Sequence, residues 1–160
     1  MIGYKATYNG KCLDQLYEVG QTYTLDGELL MCERGFHFCE DLFDVFDYYP
    51  PNKNIKVFKV EALGNIKTKS DKSVTNKIKI LEEVNLSNMI VEKNDIKKYF
   101  DCDKNYVKEK FLDGSYYEYK YDKNGNLIKY EHSTGYCMEY EYDENDNCIK
   151  SNLKQHIMVF

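Results

Sequence analysis

The sequence predicts an α+β domain over residues 1–93, followed over residues 94–160 by an antiparallel β-meander of about three 21-residue repeats. Three observations predict this. Tyr121-Asp122-Lys123-Asn124-Gly125-Asn126-Leu127-Ile128-Lys129 recurs 21 residues later as Tyr142-Asp143-Glu144-Asn145-Asp146-Asn147-Cys148-Ile149-Lys150, with a fainter earlier copy at residues 100–108. Within each repeat the residues alternate, as in Glu118-Tyr119-Lys120-Tyr121 and Glu139-Tyr140-Glu141-Tyr142, and a turn of Asn and Gly follows, which is the pattern of a hairpin. In the first 93 residues strand-like stretches give way once, at residues 41–49, to helical spacing.

Taken in order, Ile2 to Tyr8 reads as a strand, and Tyr17 to Leu25 as a second, ended by Asp26-Gly27. Leu29 to Cys32 and Gly35 to Cys39 follow as strands. Leu42, Val45, Phe46 and Tyr49 then fall at i, i+3, i+4 and i+7, one apolar face of a helix. Asp41 can cap that helix and Pro50-Pro51 stops it. Val57 to Val60 and Ile78 to Leu81 are strands, and residues 86–99 read as a connection with a helical turn or two. Residues 98–153 form the meander of about three hairpins, with ten tyrosines between residues 94 and 160. Cross-strand packing and a partner-binding surface are both readings of those tyrosines.

Composition bounds the function. The net charge of −5, spread as about −2 over residues 1–93 and −3 over the rest, argues against direct nucleic-acid binding, which needs a basic face. No apolar run reaches membrane-spanning length and the first ten residues lack a signal-peptide pattern, so the expected location is the cytoplasm. The six cysteines form no C-x-x-C pair and are expected as free thiols. The preference for Lys, Asn, Asp, Tyr and Ile, with a single Arg and no Trp, points to an AT-rich genome such as that of a low-GC bacterium or its phage.

The Tyr-Asp-x-Asn-Gly-Asn unit resembles the YD repeats of Rhs-type proteins, which implies a β scaffold or interaction surface. In the first domain, Gly35-Phe36-His37-Phe38, the helix reaching Tyr48-Tyr49, and Phe58 to Asn65 resemble the core of the poly(ADP-ribose) polymerase catalytic domain. Asn76 to Ile80 and Val84-Asn85-Leu86 extend the likeness. That resemblance implies an ADP-ribosyltransferase-like split β-sheet domain, two small sheets making a cleft for NAD. The same segment is similar to an uncharacterised phage and prophage domain reading Y-E-V-G, G-F-H-x-C and D-V-F-x-Y-Y-P-P.

The polymerase family's working residues carry over poorly. Its triad tyrosine falls on His37, its nicotinamide-stacking tyrosine on Tyr48, its amide-binding serine on Val45 and its first-strand histidine near Tyr4 or Lys5. Its catalytic glutamate falls on Lys77, and a cation there opposes the developing oxocarbenium charge. No catalytic residue is therefore assigned. The candidate nucleotide cleft is Tyr4, Lys5, His37, Tyr48 and Lys77, and the candidate protein-binding surface is Tyr117, Tyr119, Tyr121, Tyr136, Tyr140 and Tyr142. Lys5, Lys77 and Arg34 together could line an anion site.

Cys12, Cys32, His37 and Cys39 offer Cys3His chemistry, but their spacing lacks a zinc knuckle, so no metal is expected. His37 with Cys39, two apart on a strand, reads as core before it reads as a Cys-His pair, and His132 and His156 as solvated. Asp122-x-Asn124-x-Asn126 lacks the distal glutamate of a calcium loop and is better explained by Asx turns. Together these readings imply a phage- or prophage-encoded accessory protein that binds and inhibits a host protein, for example a defence component, as an anti-CRISPR does. It would act in the host bacterial cytoplasm and carry no cofactor. The alternatives are an enzyme or sponge holding NAD or ADP-ribose through a Tyr48/His37 cleft, and a structural phage module.

Overall fold

A computed structural model describes residues 1–49 and 54–155. The chain forms two compact units, Met1–Asn85 and Leu86–Phe160.

The first unit is one nine-stranded antiparallel sheet with a single short helix. Its elements are β1 (Ile2–Tyr8), β2 (Lys11–Cys12), β3 (Gln15–Leu16), β4 (Thr22–Thr24), β5 (Phe36–Cys39), α1 (Leu42–Tyr48), β6 (Ile55–Ala62), β7 (Ile66–Lys69), β8 (Lys72–Thr75) and β9 (Lys77–Glu83). The strand order is β4-β9-β6-β1-β5-β8-β7, with β2 and β3 as a small ribbon on β1. Phe58, Val60 and Ala62 alternate along β6 and meet Ile78 and Ile80 of β9, with Tyr17 and Phe38 completing the buried cluster. Lys5 is registered opposite Phe58, so its side chain is delivered to this same apolar face. The β1–β5 ladder registers Tyr4 opposite Cys39 alone, and the sheet splays there.

The helix forms where its spacing places it. The Asp41 side chain accepts the Phe43 N–H at 2.8 Å, and Phe43, Val45 and Phe46 are buried as α1 packs on β1 and β5. The expected stop at Pro50-Pro51 lies outside the described residues.

The second unit is a seven-stranded meander in sequence order: β10 (Ile90–Lys93), β11 (Ile96–Phe100), β12 (Tyr106–Lys110), β13 (Tyr116–Tyr121), β14 (Leu127–His132), β15 (Tyr136–Tyr142) and β16 (Cys148–Gln155). All three copies of the repeat make the same turn. One carboxylate oxygen of Asp122 accepts the N–H groups of Asn124 and Asn126 at 2.8 and 2.9 Å, and the other accepts the Asn126 amide at 3.1 Å. Asp143 does the same with Asn145 and Asn147, and Asp101 with Asp103 and Asn105. The positive-φ position of the turn is Gly125 in one copy and Asp146 and Lys104 in the others, and a bulge follows in the register. These oxygens satisfy backbone donors, as Asx-turn chemistry requires.

The α+β, ADP-ribosyltransferase-like split-sheet expectation is overturned: strands make up 56% of the structure and helix 5%. The segments that suggested it do exist, as β5, α1 and β6. What fails is the layering, because α1 spans seven residues, about two turns, and cannot cover a sheet. Residues 66–75, which carried no assignment, fold into the β7–β8 hairpin around Ser70 at φ +60°. Residues 86–99 hold no helix. Asn94 and Asp95, at φ +50° and +63°, make a two-residue hairpin turn between β10 and β11. Within the expected Tyr17–Leu25 strand only Thr22–Thr24 pairs as one, since Gly20 at φ +86° turns the chain first. Leu29 to Cys32 is a turn closed by a Leu30–Arg34 bridge, not a strand.

Candidate functional site

Where β1 parts from β5, the first unit opens a cleft of about 670 Å³. Tyr4, Lys5, His37 and Tyr48 line it, as do Cys12, Cys32, Cys39 and Arg34. Lys77 does not: it is exposed on β9, so of the expected Lys5, Lys77 and Arg34 set only Lys5 and Arg34 reach the cleft. The sequence reading missed Tyr17, Phe36, Tyr49 and Lys72, which also line the cleft. Lys72 follows a turn at Ser70-Asp71; that hairpin registers it opposite Lys69, and only the long-range β5–β8 pairing sets it opposite Cys39.

Lys5 sits at the splay. It is 4% exposed, its Nζ donates to the His37 carbonyl at 3.1 Å, and the amine lies 4.9 Å from the centre of the Tyr17 ring. Among the described residues no carboxylate pairs with it at ion-pair distance, and burial pulls its pKa down. His37 is held neutral. The Cys32 N–H donates to its Nε2 at 2.8 Å, so Nδ1 carries the proton, and burial, the largest cause, lowers its pKa. That bond also holds Cys32 at φ +65°.

On the rim, Lys72 Nζ lies 3.6 Å over the Tyr48 ring, and the Tyr48 hydroxyl donates to Asp71 at 2.7 Å. That bond is the main cause lifting the Tyr48 pKa to about 12. Cys12 Sγ and Tyr49 Oη lie 3.4 Å apart, and burial pushes the Cys39 thiol to about 12, an unreactive setting. Although Cys12, Cys32, His37 and Cys39 share the cleft, their donor atoms do not converge. Among the described residues the set of three metal-type donors within 4.8 Å of one another is Asp44, Asp47 and Asp71.

In the second unit the meander is two-faced. Tyr119 stands opposite Tyr130 and Tyr117 opposite His132, and ring contacts run from Phe100 through Tyr106, Tyr119, Tyr117 and Tyr130 to Tyr136 and Tyr140. The other face carries Lys108–Glu118, Lys150–Glu141 and Lys154–Glu139 ion pairs. Of the expected binding tyrosines, Tyr117, Tyr119, Tyr136 and Tyr140 belong to the aromatic run, linked by Tyr130, which the sequence reading omitted. Tyr121 and Tyr142 also tie repeats together, donating to the Tyr106 and Leu127 carbonyls at 2.8 and 3.0 Å.

No helix among the described residues is long and apolar enough to cross a membrane. The model of the family described as "Domain of unknown function (DUF7666)" matches residues 1–92. No curated protein and no solved structure matches the chain.

Proposed function

The chain belongs to the DUF7666 family through the span that holds the cleft, and from that premise we propose that the cleft binds a small anionic ligand bearing an aromatic ring, the nucleotide class. One observation carries this reading: aromatic walls from Tyr17, Phe36, Tyr48 and Tyr49 combine with rim cations Lys72 and Arg34 on a chain of net charge −5. Aromatic faces take a planar ring and the two cations take a phosphate. The volume lies within the range of small-ligand sites, roughly 300–1,000 Å³.

The test is thermal unfolding with NAD and with ADP-ribose. A ligand at 100 times its dissociation constant adds about 2.7 kcal/mol of stability. The expected shift is lost in Lys72→Ala and Tyr48→Ala with the fold retained. No shift with either nucleotide in the native protein refutes the assignment of these two ligands.

A second reading is favoured by the aromatic face of the meander. Half-buried tyrosines at cross-strand spacing make a rigid surface suited to a partner protein. In this reading the protein is a phage-encoded accessory factor that docks on and inhibits a host protein. Capture of a host protein that survives Lys154→Ala on the charged face and fails in Tyr130→Ala supports it. Capture indifferent to both substitutions removes it.

A further inference from the structure

We propose that Lys5 is a covalent ligand site, its amine condensing with the carbonyl group of an anionic aldehyde or ketone held in the cleft. The inference rests on the reading of the cleft as a ligand site and adds a chemistry to it.

The placement comes from register. Lys5 shares a sheet face with Phe58 of the buried cluster, to which Tyr17, beside the amine, also belongs. The amine reaches the cleft where the β1–β5 ladder ends. The His37 carbonyl accepts one of its hydrogens at 3.1 Å and the Tyr17 ring flanks it. Among the described residues no carboxylate closes an ion pair with it, so its ammonium form is left with a carbonyl and a ring face for company. A desolvated amine in that setting favours the neutral form, which is the nucleophile.

The surroundings fit addition to a carbonyl better than proton relay. The one lone pair of the neutral His37 ring is occupied by the Cys32 N–H, so the ring cannot take a proton from Lys5. Lys72 and Arg34 supply the charge to hold an anionic substituent on the ligand.

The chemistry balances without a co-reactant. The nitrogen lone pair forms a C–N bond to the carbonyl carbon. The resulting carbinolamine expels its oxygen as water, which carries off the two protons of the amine, and a C=N bond remains.

The experiment uses the whole protein with pyridoxal 5′-phosphate, whose phosphate, planar ring and aldehyde match the three requirements. The imine is fixed with borohydride and mapped by peptide mass spectrometry. Burial lowers the pKa of Lys5, so it offers more neutral amine near neutral pH than an exposed lysine does. Sub-stoichiometric reagent is therefore expected to label Lys5 ahead of every exposed lysine, and Lys5→Arg to lose that label. Label spread over exposed lysines of the native protein, with Lys5 unmodified, overturns the proposal. Nucleotide stabilisation is read separately: if NAD stabilises the protein and Lys5 stays unlabelled, the cleft reading stands and the covalent one falls.

Discussion

Gly35 enters β5 at φ +126°, a conformation that L side chains rarely adopt. A Cβ there would collide with Val74 Cγ2 and stand 2.9 Å from Leu29 Cδ2, and Val74 is fully buried. Gly35→Ala is expected to cost about 2–4 kcal/mol in denaturant unfolding. Gly20 also has positive φ, but a Cβ there meets nothing within 4 Å, so Gly20→Ala should cost only the backbone strain, about 1 kcal/mol. His37 gives a pH prediction at the same scale. Folding requires its neutral ring, so its folded pKa lies below the unfolded value of about 6.5. The unfolded chain takes up the proton first. The contribution is therefore complete above that pH and is lost as pH falls through it. Melting temperature against pH is expected to decline below about pH 6.5 in the native protein and to flatten over that window in His37→Gln.

Among the elements, the hairpins of the repeat are joined by more than their ladders. Tyr121 and Tyr142 occupy the same position of successive repeats, and each hydroxyl reaches a carbonyl fifteen residues back. Burial raises the pKa of both phenols, so both stay protonated as donors. Tyr121→Phe and Tyr142→Phe are each expected to lose about 1 kcal/mol in denaturant titration with little change in circular dichroism. The same elements show what local sequence reveals. Asp41 and the spacing of Leu42, Val45 and Phe46 fix α1 because capping and face periodicity are short-range. The 21-residue period discloses the meander, even in its faint copy at Asp101, because the Asx turn needs only its own residues. The β7–β8 and β10–β11 hairpins escaped notice because their turns use Ser70 and Asn94-Asp95 at positive φ, where no glycine marks the bend.

At the scale of the molecule, acid is expected to act in two stages. His37 belongs to the first unit, whereas Asp122 and Asp143 of the second are held below the usual carboxylate range chiefly by backbone N–H bonds from Asn126 and Asn147. A depressed carboxylate pKa contributes stability that is present above the unfolded value and lost as pH falls through the folded one. Amide cross-peaks of the first unit should weaken below about pH 6.5, and those of the repeat turns only below about pH 4. Simultaneous loss of both sets near pH 6 would contradict this assignment.

Elements whose causes are local are legible in the chain: the capped helix, the repeat period, the turn carboxylates, and the alternation that puts Tyr117 and Tyr119 on one face. The sequence also named Tyr4, Lys5, His37 and Tyr48, by the motif positions they share with the polymerase family, although the fold that likeness implied does not form. That these four line one cleft, and that Lys77 lies outside it, follows from pairing between distant strands. The reason is register: Lys5 faces the core because it lies opposite Phe58, and that pairing joins residues 53 positions apart. The layering was decided the same way. A strand pattern records which residues alternate, and the partners that turn strands into one nine-stranded sheet are set by contacts no local window contains.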